Sequence, residues 1–181
     1  ERVQLDQAYR EKKPRLAYNE AATGSLGQGL GVGVGMALAA KKDGRDYTTY
    51  VMMGDGEVAE GYIWESSDLE SHYGLDNLVG IVDCNRLAQS GEAINAHNVT
   101  GVAQRFQAFG WNSVIVNGHD VDAIAGAFEE IKKHQGSPSV IIAKTFKGYG
   151  LEDVEDKNNF HGKPFSAEQQ ALLITALKDR F

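Results

Sequence analysis

The segment GDGEVAEG, Gly54 to Gly61, places glycines and acidic side chains directly after an apolar stretch that is predicted to be a strand. A second polar turn, Asp83 to Arg86, follows the next predicted strand, and 28 residues lie between Gly56 and Asn85, enough for one crossover helix. Because ligands bind at the carboxyl ends of strands in open α/β sheets, Asp55 and Asn85 are predicted to face one crevice. Their carboxylate and amide oxygens are hard ligands that suit Mg²⁺ or Ca²⁺ rather than zinc.

Two protein ligands are too few for Mg²⁺, which usually completes its shell with water and phosphate oxygens. Gly54 and Gly56 would let backbone N–H groups approach a diphosphate, and a helix predicted to start near Ala59 would add its positive end. Each turn alone is common after a strand, but the two turns one helix apart favour a site for a metal-bound diphosphate. The glycines between Gly27 and Gly33 lack the third glycine of a dinucleotide fingerprint, and no Gly-Lys-Ser/Thr loop occurs.

Strands and helices alternate along the chain. Short apolar strands are predicted at Thr48 to Met53, Leu78 to Asp83, Asn112 to Val116 and Val140 to Lys144. Helices are predicted after the Gly24-Ser25 turn, at Ala59 to Tyr73, Val99 to Phe109 and Val121 to His134, and from Ala167 onward. The alternation predicts an α/β fold, a doubly wound and mainly parallel sheet with helices on both faces. The glycine-rich first helix is predicted to press closely against a neighbour.

The chain length fits a single domain. Residues 1–20 are polar and interrupted by Pro14, so we interpret them as a truncated leading segment before a domain that covers residues 21–181. The one loop-rich region, Phe146 to Phe165, is placed where a ligand could use it.

The composition of the chain limits which partners and which cellular location can be expected. A net charge of −7 and a pI near 5.2 argue against a nucleic-acid partner, which would need clustered Lys and Arg. No apolar stretch of ~20 residues and no signal pattern at the start are found, so neither a membrane span nor secretion is expected. The single cysteine, Cys84, cannot form an internal disulfide and is interpreted as a small hydrophobe at a strand end. We therefore expect a cytoplasmic protein.

One pattern in the chain resembles the sequence signature of proteins that bind thiamine diphosphate. It consists of Gly-Asp-Gly at residues 54–56, followed about one helix later by Asn85. Further segments narrow the resemblance to transketolase, over residues 14–165, whereas pyruvate dehydrogenase components and deoxyxylulose phosphate synthase share only the first signature. These segments are ATGSLGQG from Ala22, DCNRLAQS from Asp83, AKTFKGYG from Ala143 and VEDKNNFHGKP from Val154.

The resemblance implies a binding role for each matching residue. Asp55, Asn85 and the Leu87 carbonyl would bind Mg²⁺, which Ca²⁺ or Mn²⁺ can replace. The cofactor contacts would be Gly54 and Gly56 at the diphosphate, Gly24 and Leu26 at the pyrimidine, and Gln89 near the thiazolium, with Asp55 and Asn85 acting through the metal.

Two further residues match positions that have catalytic roles in the family. His161 would contact both the diphosphate and the reacting hydroxyl of the substrate, a task suited to imidazole near neutral pH. Glu60 would lie at a dimer interface, linked through carboxylates towards the partner's cofactor site. From composition alone Glu60 is an ordinary acid at a helix N-terminus, and His161 an ordinary loop histidine.

The resemblance also implies the reaction, which is transfer of a two-carbon ketol unit from a ketose phosphate to an aldose phosphate in the pentose phosphate pathway. Family members carry further histidines ahead of this stretch and a pyrimidine-binding domain after it, so we expect a fragment, or a subunit of a homodimer or heterotetramer. The alternatives are another thiamine-diphosphate-dependent ketol or acyl transferase, and a non-catalytic remnant that binds a full-length relative.

Overall fold

Strands and helices alternate in the computed structural model, which describes residues 20–21 and 23–180 of the chain. In chain order the elements are α1 Gln28–Lys42, β1 Thr49–Gly54, α2 Gly61–His72, β2 Leu78–Cys84, α3 Val99–Ala108, β3 Asn112–Asn117, α4 Val121–Ile131, β4 Ser139–Lys144 and α5 Ala167–Arg180. A short 3₁₀ turn, Glu57–Ala59, lies between β1 and α2. Nearly all of the predicted leading segment, residues 1–20, lies outside the described residues.

The four strands form one parallel sheet in the order β1-β2-β4-β3. Gly54 pairs with Asp83 at the end of β1, and Cys84 pairs with Lys144 at the end of β2. The carboxyl ends of neighbouring strands therefore meet at one edge of the sheet, where the loops after them can share a ligand. The predicted α/β class with a parallel sheet is confirmed.

Burial on both faces explains why the central strands read as continuous apolar runs. In β4, Val140, Ile141 and Ile142 are all almost fully buried, as expected for a parallel strand covered by helices on two sides. One core cluster joins this sheet to α1, α2 and α3, with Phe106 of α3 among its fully buried members. A second, smaller cluster packs α4 against the opposite face through Ile131.

Helix α1 has glycines where it meets its neighbours. A Cβ atom at Gly31 would lie 2.6 Å from the Tyr62 hydroxyl, and one at Gly33 would lie 2.5 Å from Val51 Cγ2. Both distances are far below van der Waals contact, so a side chain at Gly33 would push α1 away from β1, and one at Gly31 would displace the Tyr62 ring that packs on α1. The predicted close packing of the glycine-rich helix is confirmed.

Strand β1 is at one end of the described sheet, and the face of it opposite α1 is only partly covered. Tyr50 and Met52 point to that face and are 53% and 64% exposed. Tyr50 meets Phe128 of α4 edge to face, with ring centroids 5.9 Å apart. Helix α4 therefore reaches the border of β1 but leaves Met52 uncovered.

The predicted helix boundaries differ from the observed ones by a few residues. The predicted helix from Ala59 begins at Gly61, because the chain first makes the 3₁₀ turn and then turns extended at Glu60 (φ −73°, ψ 135°). Helix α4 ends at Ile131 instead of His134. Among the described residues, no helix is both long and apolar enough to cross a bilayer.

Candidate cofactor site

Asp55 is the first residue after β1 and is buried, with 3% of its surface exposed. Its Oδ1 accepts a hydrogen bond from Gly56 N at 2.7 Å, whereas its Oδ2 has no partner among the described residues. Burial raises the pKa of this carboxyl group above its ordinary value, and backbone N–H groups of Arg86 and Gly56 partly oppose that rise. A buried carboxylate oxygen without a donor is suited to a cation.

The loop after β2 brings Asn85 and Leu87 to the same place. Asp55 N donates to Asp83 O at 3.2 Å, which continues the β1–β2 pairing beyond the strand. Asn85 is buried, and its Oδ1 accepts from Leu87 N at 3.0 Å, closing a tight turn around Arg86, whose φ is +61°. The turn lies next to the β1 loop, because the backbone N–H of Arg86 acts on the Asp55 carboxyl group and a Cβ at Gly56 would lie 3.3 Å from Ala88 Cβ.

Arg86 fastens this turn to the loop after β4. Its guanidinium makes a bidentate pair with Asp156, at 2.6 and 2.8 Å, and also contacts Glu92 at 3.0 Å. The hydrogen bonds from Arg86 hold the pKa of Asp156 below its usual value. Asp156 N in turn donates to Lys147 O at 2.9 Å, so the ion pair also fixes the backbone at Lys147.

Lys147 is a functional candidate that the sequence did not predict, although it lies in the AKTFKGYG segment that resembles transketolase. Its Nζ donates to Leu87 O at 2.9 Å, the carbonyl that the resemblance assigns to the metal, and its charge lowers the pKa of Asp55. Nothing in the sequence around a loop lysine indicates that it contacts a carbonyl 60 residues away. Lys147 places a positive charge beside the oxygens that would bind a metal, where a diphosphate would also lie.

His161 lies in a cavity next to this cluster. The cavity has a volume of about 380 Å³ and is lined by Lys147 and by residues 160–164. The imidazole is exposed, so it is open to a ligand. The structure therefore brings His161 to the same lysine that contacts Leu87.

The glycine loops contribute less free hydrogen-bonding capacity than the sequence suggested. Gly54 N donates to Glu57 Oε2 at 3.1 Å, and Gly56 N donates to Asp55 Oδ1 at 2.7 Å, so both amides already have acceptors. A Cβ at Gly54 would meet nothing within 4 Å, which leaves open space beside that backbone. The structure thus favours close backbone approach at Gly54 over donation from its N–H.

The remaining predicted site residues lie at the surface. Leu26 is 54% exposed, and Gly24, Gln89 and Glu60 are also exposed. Glu60 precedes the first turn of α2 and makes no side-chain cap to it. These residues are accessible to another domain or subunit.

Cys84 ends β2 close to the candidate site but is fully buried in the core. Burial, helped by the charges of Asp55 and Asp83, raises the pKa of its thiol to about 12. The thiol therefore stays protonated, and the interpretation of Cys84 as a small hydrophobe is confirmed.

The donor set fits a hard cation held together with a phosphate. It consists of one carboxylate, one amide oxygen and one main-chain carbonyl, with Lys147 beside them. Oxygen donors of this kind suit zinc less well than His or Cys side chains do. No group of three His, Cys, Asp or Glu side chains that could hold a metal occurs among the described residues. Fold and site together define an α/β domain whose candidate ligand site lies at the carboxyl ends of its parallel strands.

Comparison with known proteins gives the family. Residues 12–179 match the family described as transketolase, thiamine diphosphate binding domain. The chain is 50% identical over 162 residues to transketolase of Homo sapiens and 47% identical over 168 residues to transketolase-like protein 2 of Bos taurus. The chain belongs to the transketolase family and carries its thiamine diphosphate binding domain.

These matches cover most of the chain but only part of each relative. They include 89% and 92% of this chain but 26% and 27% of the human and bovine proteins, so the chain spans about a quarter of their length. The crystal structure of transketolase from Campylobacter jejuni superimposes with a TM-score of 0.79 and 36% identity, covering 89% of this chain and 26% of that one. The transketolase resemblance drawn from the motifs is confirmed.

Proposed function

We propose that this chain supplies the metal and diphosphate half of the site in a transketolase-type enzyme, which transfers a two-carbon ketol unit from a ketose phosphate to an aldose phosphate. Residues 21–181 form the diphosphate-binding domain in this proposal. A pyrimidine-binding domain, from a longer chain or a separate subunit, completes the site within a homodimer or heterotetramer in the cytoplasm.

The observation that carries the proposal is the orphaned, buried Oδ2 of Asp55 beside the Asn85–Leu87 turn. Asp55, the Asn85 side chain and the Leu87 carbonyl would hold Mg²⁺, with the diphosphate and water completing its shell. Bound cation would relieve the cost of burying the Asp55 charge. Lys147 would move from Leu87 O towards the anion as the metal takes that oxygen.

Thiamine diphosphate supplies the carbanion chemistry when it is bound, and the chain's residues bind and orient it. Gly54 and Gly56 would give the diphosphate close approach to the backbone, while Gly24 and Leu26 would contact the pyrimidine. Gln89 would lie near the thiazolium.

Two residues, His161 and Glu60, have proposed catalytic roles. His161 shares a cavity with Lys147, from which its imidazole could reach both the diphosphate and a hydroxyl proton of the sugar. Glu60 stands exposed at the start of α2, where a partner subunit could approach it. Its carboxylate would link the two cofactor sites of a dimer.

Calorimetric titration of the completed assembly, which includes the pyrimidine-binding domain, with thiamine diphosphate and Mg²⁺ tests the metal site. Asp55→Asn keeps the shape of the side chain but removes the charge, so it should weaken Mg²⁺-dependent binding beyond the roughly 10- to 100-fold typical of an outer-shell change. Asn85→Ala should weaken binding less, because it removes a neutral ligand. Asp43→Asn, an exposed aspartate after α1, is the matched control. Equal affinity of Asp55→Asn and the parent would refute the metal assignment.

A further inference from the structure

Glu57 connects two loops that are far apart in sequence. Its Oε1 accepts from Gly27 N at 2.8 Å, and its Oε2 accepts from Gly54 N at 3.1 Å. Gly27 ends the loop that carries Gly24 and Leu26, and Gly54 begins the loop that carries Asp55. One carboxylate therefore joins the proposed pyrimidine loop to the proposed diphosphate loop. No role was assigned to Glu57 from the sequence.

We propose that Glu57 is a positioning residue that sets the spacing between these two loops, so that a ligand with both an aromatic ring and a diphosphate can bind across them. This inference rests on the proposed function, because it takes thiamine diphosphate as that ligand. Glu57 itself would not contact the cofactor, since both of its oxygens already have donors from the protein.

The bond to Gly27 also completes the start of α1. Gly27 precedes the helix in the left-handed region, with φ +87°, and has no side chain to cap it. In a capping box, a glutamate three residues into the same helix accepts from this N–H. Here the acceptor comes from 30 residues further along the chain, and its charge also favours the positive end of α1. The anion at this helix end is thus a protein group, which leaves the ligand's diphosphate to the Asp55 side.

The surroundings of Gly27 make its position sensitive to this bond. A Cβ at Gly27 would lie 3.2 Å from Tyr62 Cβ and 3.4 Å from Glu60 Cβ, so the loop has little room on that side. Contacts with α2 limit the loop in one direction, and Glu57 holds it in the other. Without the carboxylate, the loop would be free to move away from Gly54.

A glutamine at position 57 cannot replace the carboxylate, because its amide has one acceptor oxygen and its NH₂ group would face an N–H donor. An aspartate keeps the charge but is one methylene shorter, so it cannot reach both amides. These two variants remove the bridge in different ways. Glu130→Gln, an exposed glutamate on α4, makes the same chemical change as Glu57→Gln away from the bridge.

The experiment combines two measurements on the parent chain, Glu57→Gln, Glu57→Asp and Glu130→Gln. The first is hydrogen exchange of the Gly27 and Gly54 amides by NMR without ligand. The second is calorimetric affinity for thiamine diphosphate and for inorganic pyrophosphate, both with Mg²⁺ and in the completed assembly that includes the pyrimidine-binding domain. We expect Glu57→Gln to exchange faster at both glycines and to bind thiamine diphosphate about tenfold more weakly. Its pyrophosphate affinity should fall clearly less than its thiamine diphosphate affinity, because the side chains of Asp55 and Asn85 are retained.

The comparison of two ligands separates positioning from general loss of structure. If Glu57→Gln weakened both ligands equally, or left both unchanged, the positioning role would be wrong. The same conclusion would follow if the parent bound pyrophosphate as tightly as thiamine diphosphate. If Glu57→Gln failed to fold, Glu57→Asp would decide by the same criteria. A completed assembly with the parent chain that bound neither ligand would contradict the proposed function itself, and the role of Glu57 in that site with it.

Discussion

Glu70 should make the folded chain less stable as pH rises. Its side chain points into the interior from α2, is fully buried, and neither carboxyl oxygen has a hydrogen-bond partner among the described residues. Burial without a compensating donor raises the pKa of Glu70 from 4.5 to about 9. The folded chain therefore holds a proton on Glu70 at neutral pH, whereas the unfolded chain releases it.

The sign follows from proton binding. Between pH 4.5 and about 9 the folded state binds one more proton at Glu70 than the unfolded state, so the free energy of unfolding falls as pH rises. The stability of the folded chain due to protonated Glu70 is fully present below pH 4.5 and is lost progressively as pH rises to about 9. At roughly 1.4 kcal/mol per pH unit, the loss between pH 4.5 and 7 is about 3 kcal/mol.

Glu70→Gln removes the titration and nearly keeps the shape. The variant should match the parent at pH 4.5 and become about 3 kcal/mol more stable than the parent at pH 7. Urea unfolding at half-unit pH steps measures this difference. Glu65→Gln, an exposed glutamate on the same helix, is the control and should stay parallel to the parent. A Glu70→Gln curve parallel to that of the parent would refute the reasoning, because it would show that the pKa of Glu70 is not raised in the folded chain.

The other predictions concern the site. In the completed assembly, His161→Ala should lower turnover more than cofactor affinity, because the metal would still be held by Asp55 and its neighbours; steady-state kinetics and a cofactor titration separate the two. Arg86→Lys and Asp156→Asn should each weaken Mg²⁺-dependent cofactor binding in calorimetry. The double variant should lose less binding free energy than the sum of the two single losses, because each substitution breaks the same bidentate pair. The 181-residue chain alone should show no ketol transfer and should associate in light scattering, because the proposed site needs a pyrimidine-binding domain and Leu26 exposes apolar surface.

Each of these has a result that contradicts it. Unchanged turnover in His161→Ala would make His161 an ordinary loop residue. Fully additive losses at Arg86 and Asp156 would mean that the two side chains act separately, and Arg105→Lys, exposed on α3, controls for the substitution itself. Ketol transfer by a chain that scatters as a monomer would remove the need for a partner.

The sequence predicted the elements that position the site because hydrophobic period and glycine punctuation are local signals. Parallel pairing then placed Asp55 near Asn85 without knowledge of any side-chain contact, since the carboxyl ends of adjacent strands share one edge. The 3₁₀ turn Glu57–Ala59 was not predicted. It overlaps the predicted helix only at Ala59, and helix ends are the least certain part of such a prediction.

Contacts between distant loops could not be predicted. Lys147 reaches Leu87 across 60 residues, and Glu57 reaches Gly27 across 30, and both depend on backbone paths that no local pattern encodes. Glu70 was equally hidden, because a glutamate on a helix is usually solvent-exposed. The long-range polar contacts around the site are thus the part of this structure that the sequence conceals.

The partly covered strand β1 has a consequence for handling the purified chain. Its segment TYVMMG contains no charge and no proline, the two features that usually protect an outer strand from pairing with another molecule. Tyr50 and Met52 add exposed apolar surface on one side, while Val51 and Met53 on the other side belong to the core. Met52→Lys should therefore improve solubility without disturbing the strand. A lysine at Val51 or Met53 would instead bury a charge in the core and destabilise the strand that positions Asp55.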